Sequence, residues 1–216
     1  GTAVVVLPLH NPILVAEEMA MIDVLSGGRL NFGIGAGYQR QEFDGIGVDI
    51  EESRERFYEA VDVIIKAWTT PGPFRYEGKH YQYRVVNPWV MPLQKPHPPI
   101  WIPGVASTES IVWAAKHKYP YVALAPPMDL LRGIYDLYDE TAEADGWTPT
   151  AEHRAYAIRV NVADTDEKAY EEGKNFYWQL GASFGVTPPH WQAPPGYISR
   201  ASAQGAREAN RRAASN

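Results

Sequence analysis

The residues best suited to chemistry fall in three short segments. Gly33-Ile34-Gly35-Ala36-Gly37 lacks a side chain at every second position. Backbone N–H groups can therefore approach a ligand closely there, a phosphate above all. The spacing is G-x-G-x-G; Tyr38 stands where the dinucleotide pattern needs its third glycine, and no strand ending in an acidic residue follows about 20 residues on. The plain alternative is a tight turn at a strand end. Arg54 lies in the first turn of a predicted helix, where a cation sits badly with the helix dipole. A surface ion pair with Glu51 or Glu55 would relieve it, and so would a bidentate phosphate contact. His10 follows the first predicted strand. An imidazole in that loop suits proton transfer, although a hydrogen-bonded loop histidine is the simpler reading. The six histidines show no H-x-x-x-H spacing and there are no cysteines. This excludes thiol catalysis and a Cys-ligated metal or cluster, and no metal site is expected.

These residues need elements to position them. Val4–Leu7 reads as a buried strand, and Asn11-Pro12 supplies a cap with proline at the first helical position. Leu14, Met19, Ile22 and Leu25 follow at near-helical spacing, and Gly27-Gly28 stops that helix. Residues 30–34 form a second strand that opens into the glycine run. After a polar loop, Glu51-Glu52 begin a helix whose stripe is Phe57, Val61, Ile64, Ile65 and Trp68. A hairpin turning at Glu77-Gly78 and a proline-rich extended stretch form an insertion. Ile100–Ile102 is a third strand, Ser107 caps a helix reaching about His117, and 121–125 is a fourth strand. A helix over 130–144, a fifth strand over 156–162 and a helix running to about Leu180 complete the pattern. Strand–helix alternation of this kind gives a parallel sheet. Two architectures fit: an open doubly wound sheet, or part of a (β/α)8 barrel. Either places a site at the carboxyl ends of the strands.

The chain has 216 residues, 45% hydrophobic, with a net charge of −6. That length suits one domain, or at most two. Mildly acidic, interspersed charge argues against nucleic acid as a partner. No apolar run approaches the ~18–20 residues of a membrane span. The first residue is Gly1, and the chain enters a strand almost at once, which reads as a processed chain or an internal portion of a larger domain.

Taken in order, several motifs resemble the luciferase-like flavin monooxygenase family. They are residues 2–12; Leu25-Ser26-Gly27-Gly28-Arg29-Leu30 with Phe32 through Tyr38; Glu42-Phe43 with Gly47; the Glu52-Ser53-Arg54 helix start; Trp68; and residues 92–102. The resemblance runs to about Val162 and is thin beyond Gly181. It implies part of a (β/α)8 TIM barrel, about strands three to seven, with an insertion after the second helix. Residues 1–180 would be a partial flavin-binding barrel and 181–216 an irregular or weakly helical tail. The resemblance implies reduced FMN, or a deazaflavin as in some relatives, and transfer of one oxygen atom from O2 to a small hydrophobic organic substrate. A diffusible reduced FMN implies a flavin reductase partner, a cytoplasmic setting, and a homo-oligomer at full length. A deazaflavin-dependent oxidoreductase and a non-catalytic flavin-binding homologue are the alternatives. By the same resemblance Ala3 and Val4 lie against the flavin ring across a non-proline cis peptide. Gly37, Tyr38 and Arg54 meet the phosphate, with Val105, Ala106, Ser107 and Thr108 as the loop opening the next helix. Ala36 and Val105 stand where the luciferases have an arginine and a serine, which implies weaker FMN binding or a different flavin. The family's active-site histidine and first two strands are expected before Gly1, and the eighth strand after Asn216. No catalytic residue is therefore assigned in this chain, and His10 is a pocket residue only.

Overall fold

The computed structural model describes residues 1–158 and 160–174. Five parallel strands, β1 (Val5–Val6), β2 (Phe32–Gly35), β5 (Ile100–Gly104), β6 (Tyr121–Leu124) and β7 (Arg154–Ala157), lie side by side in chain order. The helices between them are α1 (Pro12–Leu25), α2 (Arg40–Ile46), α3 (Ser53–Thr69), α4 (Thr108–Lys116) and α5 (Met128–Ala144). An antiparallel hairpin, β3 (Phe74–Glu77) with β4 (Gln82–Val86), is inserted after α3. A doubly wound sheet reverses its strand order at a switch point. Here the order never reverses, so the arrangement is that of consecutive barrel units. The expected tail over 181–216, and the end of the helix expected to reach Leu180, lie outside the described residues.

Side chains alternate across the sheet with a period of two. Phe32, Ile34, Ile100, Ile102, Tyr121 and Ala123 are all buried beneath the helices. Phe32 meets Trp68 of α3 edge-on, with ring centroids 5.5 Å apart. The Trp68 indole N–H donates to the Ala16 carbonyl at 2.9 Å, locking α3 onto α1. Trp101, Pro103, Val122 and Leu124 face the other way and are half-buried.

The caps behave as the sequence predicts. The Asn11 side chain accepts from the Ile13 N–H at 2.9 Å, and Ser107 Oγ accepts from the Ser110 N–H at 3.4 Å. Four expectations need correction. The first strand is only two residues long, because a 3-10 turn over Leu7–Leu9 takes the chain at Pro8. The polar loop contains α2, whose one buried side chain, Phe43, gives no stripe to read. The last strand is Arg154–Ala157, not 156–162: Arg154 pairs with Asp139 of α5 at 2.6 Å, and Ile158, Val160 and Val162 are exposed. The buried face of α1 is Val15, Ala16, Met19, Ala20 and Asp23, while Leu14, Ile22 and Leu25 point to solvent. That helix is apolar almost all round, so spacing alone could not choose its face.

The insertion is held to α3 by carboxylates: Asp62 takes the Tyr76 hydroxyl, Glu55 takes the Lys79 and His80 side chains, and Glu59 takes the backbone. Glu59 accepts the backbone N–H groups of His80 and Tyr81 at 2.9 and 2.8 Å. Gly78 is obligatory beside it, since a Cβ there would lie 1.7 Å from Glu59 Oε1.

Candidate functional site

The glycine run is shaped by the segment beside it. A Cβ on Gly33 would lie 1.9 Å from the Thr2 carbonyl oxygen, and one on Gly35 3.0 Å from Val4 Cγ2. On Gly37, whose φ is +76°, it would lie 2.5 Å from Val6 Cγ1. Thr2, Val4 and Val6 thus occupy in turn the space that side chains on β2 would need. The Thr2 hydroxyl also donates to the Gly33 carbonyl at 2.7 Å. The Ala3–Val4 peptide is cis, at the position the family resemblance implies.

At the carboxyl ends of β2 and β5, between the first turns of α3 and α4, lies a cleft of about 50 Å³. Gly35 and Ala36 line it from β2, Ile102 and Pro103 from β5, Arg54, Phe57 and Tyr58 from α3, and Ser110 and Trp113 from α4. Arg54 is half-buried in its wall and reaches the Tyr58 hydroxyl with a long 3.5 Å hydrogen bond. Of the two carboxylates expected to neutralise Arg54, Glu51 forms no ion pair among the described residues and Glu55 is committed elsewhere. Glu55 takes Lys79 at 2.6 Å and His80 at 3.0 Å, and Glu52 takes Arg56 at 2.8 Å. The bond from Lys79, and then that from His80, hold the Glu55 carboxyl below its ordinary range. Among the described residues Arg54 has no ion pair. The plain reading of Arg54 as a surface ion pair is therefore overturned.

An unneutralised guanidinium in a cleft at a helix N-terminus is suited to an anion, because free amides and the helix dipole act in the same direction. The volume admits a compact group of a few heavy atoms and no ring system. The nine-residue α4 begins at Thr108 beside it; Ser107 caps that helix and its hydroxyl donates to Glu109 at 2.9 Å. Ala106 packs on the core, and Val105 is 60% exposed at the rim. Ala3 is exposed, and Val4 lies over Gly35. Gly37 packs against Val6 and Phe43, Tyr38 projects to solvent, and His10 is exposed in the loop between β1 and α1. The sequence reading did not find Tyr58, Ser110 or Trp113. Met128 and Ile158, both exposed, follow β6 and β7 at the same end of the sheet. Among the described residues no cluster of three His, Asp or Glu could hold a metal ion, and no helix is long and apolar enough to cross a membrane.

These features belong to one family. Residues 1–216 match the family model of the luciferase-like monooxygenases, and the chain belongs to that family. It is 36% identical over 104 residues to the oxygenase component of a flavin-dependent trigonelline monooxygenase from Acinetobacter baylyi, covering 47% of this chain and 28% of that protein. The fold matches the monooxygenase RslO1 from Streptomyces bottropensis with a TM-score of 0.76 at 24% identity, over 86% of this chain and 56% of that one. It also matches the oxygenating constituent of 3,6-diketocamphane monooxygenase from Pseudomonas putida, solved in complex with FMN. There the TM-score is 0.69 at 22% identity, over 85% of this chain and 56% of that one. The chain thus spans between 28% and 56% of the length of these proteins.

Proposed function

We propose that the protein is a flavin-dependent monooxygenase, acting with reduced FMN and O2 on a small apolar organic substrate. The observation that carries this is Arg54: a half-buried cation, without a carboxylate partner among the described residues, in a phosphate-sized cleft where two strands end and α4 begins. Arg54 would take two phosphate oxygens with its fork, the opening amides of α4 a third, and Ser110 would bring a hydroxyl from the first turn of α4. Ser110 would stand in for the hydroxyl lost at Val105, while the charge lost at Ala36 leaves Arg54 to meet the dianion. Val4 and the glycine run would then lie beside the ring. A bound reduced flavin supplies the electrons that activate O2. The exposed apolar side chains of Val4, Val105, Met128 and Ile158 would face the ring and substrate and keep water from both. The Acinetobacter relative is the oxygenase component of its monooxygenase, which supports a separate reductase as the source of reduced flavin here. On this reading residues 1–180 are part of a flavin-binding barrel.

The test is a titration with oxidised FMN, reduced FMN, riboflavin and a deazaflavin, followed by oxygen uptake with the reduced FMN complex. FMN bound more tightly than riboflavin, with substrate-stimulated oxygen uptake, is the expected result. Selection of the deazaflavin over FMN would overturn it in favour of a hydride-transferring oxidoreductase.

A further inference from the structure

The anion cleft is closed at its back by aromatic rings. α3 packs on α1 and α4 packs on α5, so the gap between α3 and α4 is spanned by side chains. Trp113 of α4 lies stacked on Tyr58 of α3 at 5.3 Å and meets Phe57 edge-on at 5.2 Å. Farther along α4 it meets His117 tilted at 4.3 Å and approaches Tyr119 at 5.6 Å. Trp113 is thus the centre of a set of rings that fills the groove between α3 and α4 beside Arg54 and forms one wall of the cleft. The Tyr58 hydroxyl also takes the Arg54 hydrogen bond, so the plug and the cation form one unit.

A phosphate monoester ends at its phosphate. A phosphodiester or a dinucleotide continues past it and needs a channel on the far side. We propose that the Tyr58–Trp113 plug makes this site selective for cofactors ending in a phosphate monoester, with Trp113 the residue that excludes phosphodiesters. This rests on the flavin reading above, and it assigns the choice between FMN and the larger flavins to two side chains that touch no ring of the cofactor. The rings contribute by occupying space, so removing the indole opens the groove while Arg54 keeps its charge. Loss of the Tyr58 hydroxyl alone leaves the groove shut.

The experiment measures dissociation constants for FMN, FAD, a phosphodiester deazaflavin and riboflavin, on the protein and on Trp113→Ala, Trp113→Leu and Tyr58→Phe. Riboflavin has no phosphate, so its binding reports that the ring site is folded. The wild-type protein should prefer FMN to FAD by about tenfold or more, and the Trp113 variants should shrink that preference to about threefold or less. Tyr58→Phe should weaken FMN binding yet keep the preference. If Trp113→Ala no longer binds riboflavin, Trp113→Leu and the wild-type ratio decide the matter. Equal wild-type binding of FMN and FAD, or a preference unaltered by opening the groove, overturns the plug. Binding of no flavin at all overturns the functional reading as well, and so marks the two failures apart.

Discussion

The two ends of the sheet are built on opposite terms. At the amino end, Asp23 is fully buried near the close of α1 and every partner it needs is in place. Its carboxylate accepts the Gln94 backbone N–H at 2.8 Å and the Gln94 side-chain amide at 2.7 Å. The same amide donates to the Leu30 carbonyl at 2.8 Å, and the Asp23 carbonyl accepts from Gly28. At the carboxyl end a cation stands without a carboxylate among the described residues, a cleft is left beside it, and Val105 and Met128 are 60% and 70% exposed. One end uses its polar groups on itself. The other holds them back, which is the condition for receiving a ligand.

The contrast can be broken from either side. Replacing the buried Asp23 with Ala removes both carboxylate bonds to the half-buried Gln94 and should cost about 3 kcal/mol of unfolding free energy in a denaturant titration. Flavin selectivity in the folded fraction should be unaltered. Arg54→Ala should do the reverse. FMN affinity should fall by about 1.5–3 kcal/mol, or about 10- to 150-fold, with riboflavin affinity and thermal stability nearly constant. A loss of stability as large as that of the Asp23 variant would show that Arg54 is structural after all. The amino end also has a pH signature. Burial raises the Asp23 carboxyl, but the hydrogen bonds from Gln94 outweigh it and hold the group below its ordinary value. A depressed carboxylate contributes stability above its unfolded value, and that contribution is lost as pH falls through the folded one. Thermal unfolding should therefore soften below about pH 4, and the fall should be shallower in Asp23→Asn. The smallest effect belongs to the rim. Ala125, just past β6, has a φ of +47°. Ala125→Gly should stabilise by about 0.5 kcal/mol, the relief of a left-handed alanine less the entropy glycine adds.

What the sequence discloses follows the range of the interactions. Strand–helix order, the Asn11 and Ser107 caps and the insertion are local signals, and the structure has them all. The cleft is not local. Phe57 reads as a core stripe position, but nothing near Tyr58 tells that its ring will meet Trp113 across a gap between two helices. Arg54 was legible as an oddity and not as an answer, because its partners depended on Lys79 and His80 arriving from the hairpin to occupy Glu55. The fifth strand was misplaced because its register is set by Arg154 reaching Asp139, while alternating apolar residues beyond it imitate a strand. Gly33, Gly35 and Gly37 announced a close approach correctly, but the neighbour that comes close in this structure is the chain's own first strand.

That last point bears on assembly. Only Val5 and Val6 of β1 enter the ladder, too few hydrogen bonds to fix an alignment by themselves. Thr2, Val4 and Val6 over Gly33, Gly35 and Gly37 act as a key with three teeth in a lock with three notches. A slip of one residue would set Ala3 and Val5 where the notches are and turn Val4 and Val6 onto the opposite face. The glycine run therefore indexes the first strand by steric exclusion.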